Sequence, residues 1–587
     1  MLLLLAILGI IPTISSQPPV CSPDGCLLPS SLPPLWSPAT NLNITILGLD
    51  QHQTESLMQV FDDALLLAAA FNHDLAFKTL HKAFTLAASS SSSFQCCMCL
   101  WAMAYLSAPN INRSCVSDRL ITAKDAAQKA SNECTSLNNV LEQSLVSAMV
   151  ARFPANRTDY NGFVFEKEFS SAMGEIAEKS KEDVFVTADL HTLYAEAVMN
   201  TIAWNYYNKE GRLRDEAVPA KNSLELSLSI VPDHPLALHL TIHLMEPSSD
   251  PVFIGKAVSA GDILGNIIPP DLGAGIGHLL HMPGHALTRA GDYHAAVLAN
   301  TVAAHDDQDY MTSCGVSQDD YYRQLYYTHK HAFLLWSAIM SGESALALST
   351  ADKLFTECNI VKVAADIGGL FFLYPPWKYQ ALIKFGRFTE LVEEVSPPDQ
   401  TGNDLLDSYT EAVYLFSRSY AQASLGSCAE SYEDRRQFLI LAQNNALRGV
   451  RVFMIKVGDI LDLSMQVLAG QLCRQCDEFM PECSEIEHLS AAVIIQDSFP
   501  YMEPRYWPDN VRSCLGAALL RDNKPSEALA VYEEDLSPEQ NIKNGWSLKG
   551  KELALRALGR DNEADEVLAS FLEIWQFSDV DLQQSCF

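Results

Sequence analysis

The chain has 587 residues, too many for one compact core, and at 48% hydrophobic and 19% charged it has the makeup of a folded protein, not a disordered one. Its formal charge of −32 argues against nucleic acid and against an anionic membrane surface, because both need clustered Lys and Arg. The acidic excess reads as solubility, with cation buffering as the alternative.

Met1 to Ile14 is almost wholly apolar, and Ser15-Ser16-Gln17 offers a small-residue cleavage zone. Residues 1–16 therefore read as a secretory signal peptide, although only the amino terminus supplies positive charge ahead of the apolar run. No later stretch approaches about 20 uncharged apolar residues, so no further membrane span is expected. Asn43, Asn112 and Asn156 each open an Asn-x-Ser/Thr triplet and are glycosylation acceptors if the chain is secreted. Fifteen cysteines in that setting imply disulfides, and the odd count leaves one thiol over or paired to another chain. Cys96, Cys97 and Cys99 crowd one segment. Cys473, Cys476 and Cys483, followed by His488, have zinc-like spacing, but in an oxidising compartment a local disulfide is the better reading. Cys96 reads as buried or disulfide-bonded, since no base is placed beside it.

Residues 17–50 are Pro- and Ser-rich and predict irregular structure; from about Ser56 the pattern is helical. Ala64–Ala70 and Asp74–Ala88 predict two helices parted by Phe71-Asn72-His73. Ser89–Ser93 predicts a loop, Phe94–Ser107 a helix ended by Pro109, and Ala123–Phe153 further helix. Helices are also expected around Tyr160–Lys179, Thr187–Thr201 and Lys221–Ile230. Ser396-Pro397-Pro398-Asp399-Gln400 is the clearest internal break. It divides residues 51–395 from 408–587, with 396–407 as linker. No strand pairs with hairpin turns stand out.

Helical hairpins without strands point to repeats. Gly291-Asp292-Tyr293 leading to Ala296 and Ala303 fits the tetratricopeptide pattern. Leu515-Gly516 with Ala528 and Tyr532, Leu558-Gly559-Arg560 leading to Ala564, and Gly386-Arg387-Phe388 fit it too. Small residues let paired helices approach and aromatics fill the gap between hairpins. The expected fold is all-α, an α-solenoid of tetratricopeptide-like hairpins.

Two stripes of chemistry-bearing residues stand out. His278, His281 and His285 fall at i, i+3 and i+7 in Gly277–Tyr293, one helical face, with Pro283 and Gly284 placed to kink it. His239, His243 and Glu246 fall at i, i+4 and i+7 about thirty-five residues earlier. Imidazole and carboxylate are ligands for Zn, Cu, Fe or Mn, and two such helices can supply four or more. His239, His243, His278 and His281 are the expected ligands. Glu246 is a ligand or general base, His285 a fifth ligand or proton shuttle, and His73 a contributor from a third helix. A buried His–Glu network that locks repeat packing is the alternative. His234, before Pro235, reads as a turn residue. Tyr501, Glu503 and Trp507 read as packing residues.

Taken in order, Phe71-Asn72-His73-Asp74, Cys96 with Trp101, Pro109-Asn110-Ile111-Asn112, Glu196-Ala197-Val198-Met199-Asn200 and Asp233-His234-Pro235 form one series. The His239 cluster and the Gly277–His285 motif follow. Tyr501-Met502-Glu503-Pro504 with Trp507, Leu515–Leu520, Asp535-Leu536 and Asn544–Leu548 complete it. With this series the chain resembles a group of large, mostly uncharacterised tetratricopeptide-repeat proteins common in bacteria. The resemblance implies that the histidines belong to a shared pattern, and it carries no defined activity. Relatives have His-Asn-x-His-Phe-Leu after the central motif. Here His329 matches, but Ala332 stands at the second histidine, which implies an altered site, and His331 could replace it only from another face.

A phosphate-binding glycine loop, a G-x-S-x-G elbow and H-E-x-x-H are all absent from the sequence. Two functions remain: a secreted scaffold that takes a peptide or protein in its groove, and a metal-dependent hydrolase or oxidoreductase built on the histidines. The scaffold is the first reading, because the fold signals outnumber the site signals.

Overall fold

The computed structural model of the chain describes residues 21–22, 25–26, 41–42, 44–113, 117–135, 139–154, 162–179, 183–208, 211–269 and 273–587. The expected signal peptide at 1–16, most of the segment 17–50, and the expected acceptors Asn43 and Asn156 lie outside the described residues. Asn112 lies in a half-buried turn. Among the described residues no helix is long and apolar enough to cross a membrane.

The fold is all-α, an α-solenoid of tetratricopeptide-like hairpins in which consecutive helices pack antiparallel across short turns. Among the described residues strands amount to two pairs of two residues each, Cys21–Ser22 with Gly25–Cys26 and Arg451–Val452 with Ile455–Lys456. Such strands are too short to leave an alternation in the sequence, which is why none was expected.

Two boundaries differ from expectation for physical reasons. The helix His73–Ser90 runs through the first two residues of the serine run. There Ser89 Oγ donates to the Thr85 carbonyl at 2.8 Å, and Ser90 Oγ to that of Ala87 at 2.9 Å, which seats these hydroxyls inside the helix. The next helix, Cys97–Ser107, starts three residues late. Gln95 is taken up in an antiparallel bridge, its N–H and carbonyl both paired with Leu47.

The chain divides into two compact units. The first comprises 1–286 with 302–322, the second 287–301 with 323–587. The Pro-Pro break is a non-helical connection ahead of the Asp404–Ser424 helix, inside the second unit. Pro397 and Pro398 interrupt a helix there, but compactness depends on which distant segments pack together.

In the first unit, helix Pro235–Met245 is buried on every side. It is capped by His234, opens on Pro235 and carries no breaker, and helices Gln51–Ala69, Val184–Thr201, Val218–Ile230 and Pro251–Ile267 pack around it. His234, expected in a turn, is this N-cap; its Nε2–H donates to Asp189 at 3.0 Å. Helix Gly277–Ala290 contains Pro283. Gly261 and Gly265 of the Pro251–Ile267 helix admit that ring: a Cβ at Gly261 would stand 3.2 Å from Pro283 Cα, and one at Gly265 3.4 Å from Cγ.

In the second unit the four repeat-like signals fall at hairpins. Gly291, Gly386 and Gly559 carry positive φ at helix–helix turns. Gly516 and Gly550 face the Tyr532 ring, and a Cβ on either would overlap it. The carboxylate of Asp535 is buried and accepts from Asn510, Asn541, Asn544 and Ser547.

Disulfides join Cys96–Cys99 and Cys97–Cys134 in the first unit, and Cys428–Cys476, Cys473–Cys483 and Cys514–Cys586 in the second. Cys473–Cys483 is the local bridge expected; Cys476 pairs further off. Cys358 is a buried free thiol, pushed well up by desolvation.

Candidate metal centre

The two histidine stripes meet inside the first unit. His239, His243 and His278 bring ligand-capable nitrogens within 4.8 Å of one another, and all three are buried. Their ring centroids are 4.9 Å apart for His239 and His243, 4.9 Å for His239 and His278, and 6.3 Å for His243 and His278.

Hydrogen bonds set which nitrogen faces inward. The Nδ1–H of His239 donates to the Ala69 carbonyl at 2.6 Å, at the end of helix Gln51–Ala69. That leaves Nε2 with the lone pair, and Nε2 has no hydrogen-bonding partner among the described residues. Burial, then the neighbouring His243, holds the His239 pKa well below the usual imidazole range, so the ring is a neutral donor.

Glu246 bridges the stripes. Its Oε1 accepts from His243 Nδ1–H at 2.9 Å and its Oε2 from His285 Nδ1–H at 2.9 Å. Both oxygens are thus taken up in orienting imidazoles. Glu246, expected as a ligand or general base, holds both imidazoles by their Nδ1–H groups. His285 Nε2 lies 2.6 Å from His281 Nε2, a second convergence on the same helix.

His73 does not join these donor sets. Its Nε2 faces the Asn110 amide at 3.4 Å and its ring lies 6.1 Å from that of Tyr105. Burial and the charges of Arg119 and Arg113 push its pKa down to about 3, so it is a neutral buried ring. His331, in the second unit, donates Nδ1–H to the Tyr327 carbonyl at 3.0 Å, while Ala332 is fully buried.

Sequence reasoning missed the residues that frame the centre. Phe71 has φ of 58° and Trp204 has φ of 62°, conformations costly for bulky side chains. The Phe71 ring lies 4.4 Å from that of His239 and 5.4 Å from that of His278. The Trp204 ring stands edge-on to His243 at 5.2 Å, and its Nε1–H donates to the Ile111 carbonyl at 2.9 Å. Phe71-Asn72 was visible as part of a motif; nothing local marks Trp204. Asn72 donates to the Gly275 carbonyl at 3.0 Å, tying the Phe71 turn to the approach of the histidine helix. Tyr322 accepts from the His278 N–H at 3.1 Å and donates to Asp307 at 3.0 Å. Gly277 makes room for that carboxylate, which a Cβ would strike.

A third donor group, Cys97, Cys134 and Glu142, has its two sulfurs in a disulfide and so offers no thiolate.

Fold and site together define an all-α protein of stacked helical hairpins with a buried histidine centre in its first unit. No protein-family model matches the chain, and no curated protein matches it. Among solved structures it is similar to IFIT1. A monomeric IFIT1 mutant with m7Gppp-AAAA shares 13% identity over 81% of this chain and 90% of that one, at a TM-score of 0.32. The human IFIT1 dimer with PPP-AAAA shares 12% over 90% and 96%, at a TM-score of 0.28. At TM-scores this low the likeness carries no argument about this chain.

Proposed function

We propose that the chain is a transition-metal-binding repeat protein of the secretory pathway, with His239, His243 and His278 as ligands. The observation that carries this reading is the gathering of three buried imidazole donors within 4.8 Å. Three nitrogens on one ion at metal–nitrogen distances of about 2.0–2.1 Å lie roughly 3.3–3.6 Å apart, so side-chain adjustment of under about an ångström each closes the site. Glu246 orients His243 through Nδ1, and the Ala69 carbonyl does the same for His239. All-imidazole ligation without thiolate suits copper or zinc, with iron less favoured. The bound ion would supply Lewis-acid or redox chemistry, and the hydrolase or oxidoreductase reading attaches to this site. The disulfides and the apolar first residues support the secretory assignment, and the central motif supports kinship with the bacterial repeat proteins it resembles.

The scaffold reading draws on a different feature. Helices Val140–Arg152 and Gly162–Lys179 flank a groove of about 1090 Å³ lined by Leu141, Ser144, Ala148, Ser171 and Ile176. Its volume is at the upper end of the range for ligand clefts.

Elemental analysis of the purified chain without a metal-binding tag tests both. At least one equivalent of copper, zinc or iron is expected, and one equivalent fewer in the His239→Ala/His278→Ala double variant while far-UV helicity stays. Absence of metal, persisting after incubation with each ion, would make the histidines a buried packing network and leave the groove as the binding feature.

A further inference from the structure

Three of the five buried histidines on the two helices belong to the trio. The other two, His281 and His285, lie one and two turns beyond His278 on the same helix, and their Nε2 atoms approach to 2.6 Å. Both side chains are wholly buried. The tautomer of His285 is set from outside the pair. Its Nδ1–H donates to Glu246 Oε2, so its Nε2 carries a lone pair directed at His281. In the neutral pair His281 meets that lone pair with an Nε2–H. When that proton shifts to His281 Nδ1, two imidazole lone pairs face one point, and a cation can take the place between them.

The distances allow the exchange. Two nitrogens on one ion lie roughly 3–4 Å apart at metal–nitrogen distances of about 2.0–2.1 Å. The pair must therefore open by about 0.4–1.4 Å, the larger value for two donors in line. Side chains at i and i+4 on a helix are neighbours that small χ rotations separate.

Glu246 links this pair to the trio. One oxygen holds His243, a member of the trio; the other holds His285. One buried carboxylate thus supplies the outer hydrogen bond to an imidazole in each set, fixing both with the proton on Nδ1 and the lone pair on Nε2. The rings of the two sets are neighbours, at 5.3 Å for His243 and His285 and 5.6 Å for His278 and His281.

The geometry points to a paired metal centre. A second first-row ion sits at Nε2 of His281 and His285, beside the ion held by His239, His243 and His278, and Glu246 braces both positions. The inference rests on the trio being a metal site. Every donor at both positions is an imidazole nitrogen, so copper and zinc are the ions it takes. Copper(I) is the better fit to the second position, because two imidazoles suffice for it.

The test is a count of ions on the full chain. The protein is stripped with chelator, loaded with copper(I) and separately with zinc(II), desalted, and measured for metal per chain. Two equivalents are expected for at least copper in the unmodified chain. One is expected in His281→Ala and in His285→Ala, and one in the His239→Ala/His278→Ala variant. A single equivalent in the unmodified chain overturns the paired centre and leaves the trio standing. No bound metal overturns both readings. Should the variants misfold, cobalt(II) titration of the unmodified chain decides: a second equivalent that perturbs the electron paramagnetic resonance of the first supports pairing. Saturation at one equivalent rejects it.

Discussion

Glu246 carries consequences out of proportion to its size, because both its oxygens accept from imidazole N–H groups. Glutamine in its place offers one acceptor and one amide donor. The donor faces an N–H, so one of His243 and His285 must move its proton to Nε2, the atom needed for ligation. Glu246→Gln is expected to weaken metal binding by about ten- to a hundred-fold with helicity unchanged. Unaltered affinity would show that the carboxylate does not orient the ligands. The helices bearing these residues were legible, since spacings of three, four and seven mark one face. Which ring nitrogen points inward was not. That is set by an acceptor 170 positions away, the Ala69 carbonyl that meets His239. His73 is likewise held by distant partners: its Nε2 meets the Asn110 amide and its ring lies beside that of Tyr105. Phe71 and Trp204 escaped because positive φ in a bulky residue leaves no local trace.

Among the elements, the hairpins of the second unit were the most readable, because a tight turn between helices asks for glycine and a close crossing asks for small residues. Gly516 and Gly550 wall the Tyr532 ring, which is buried and donates to or accepts from Ser585 at 2.7 Å. With a glycine on each side the ring has nowhere to retreat. Gly516→Ala is expected to destabilise the second unit by about 1–3 kcal/mol, read as a lower urea midpoint. A neutral effect would mean that the ring moves freely and that the glycine is not needed for packing. The serine run shows the limit of propensity: serine favours loops only weakly, and hydroxyls bonded back to carbonyls one turn earlier kept the helix going.

At the scale of the whole molecule, acidity acts through buried carboxylates and histidines in opposite senses. Burial, with Asp63 and Asp189 nearby, raises the Asp62 pKa to about 7, and burial raises that of Asp63 to about 6, from an ordinary 3.8. The folded state then holds protons that the unfolded chain has released. This penalty is absent below pH 3.8 and complete above pH 7. His73 and His331, held at about 3 and about 4, work the other way: the unfolded chain takes up protons below pH 6.5 and stability falls toward acid. Asp62→Asn isolates the first effect. It is expected to stabilise the chain at pH 8 by about 1–2 kcal/mol, after allowance for solvent screening, and by little at pH 4. Urea unfolding at the two pH values measures the gap, and a gap that does not change with pH would rule the effect out. The division into units was the least readable property. Two prolines marked a break in a helix, but long-range packing decides what is compact.

The two units are interleaved along the chain, and this has a temporal meaning. As the polypeptide leaves the ribosome, residues 287–301, which belong to the second unit, emerge before 302–322, which complete the first. Tyr322, whose hydroxyl braces His278 through the backbone, arrives last of all. Every residue of the histidine centre has therefore been made before Cys428, Cys473 or Cys514 is translated. The three disulfides of the second unit can close only after the whole histidine centre has been synthesised.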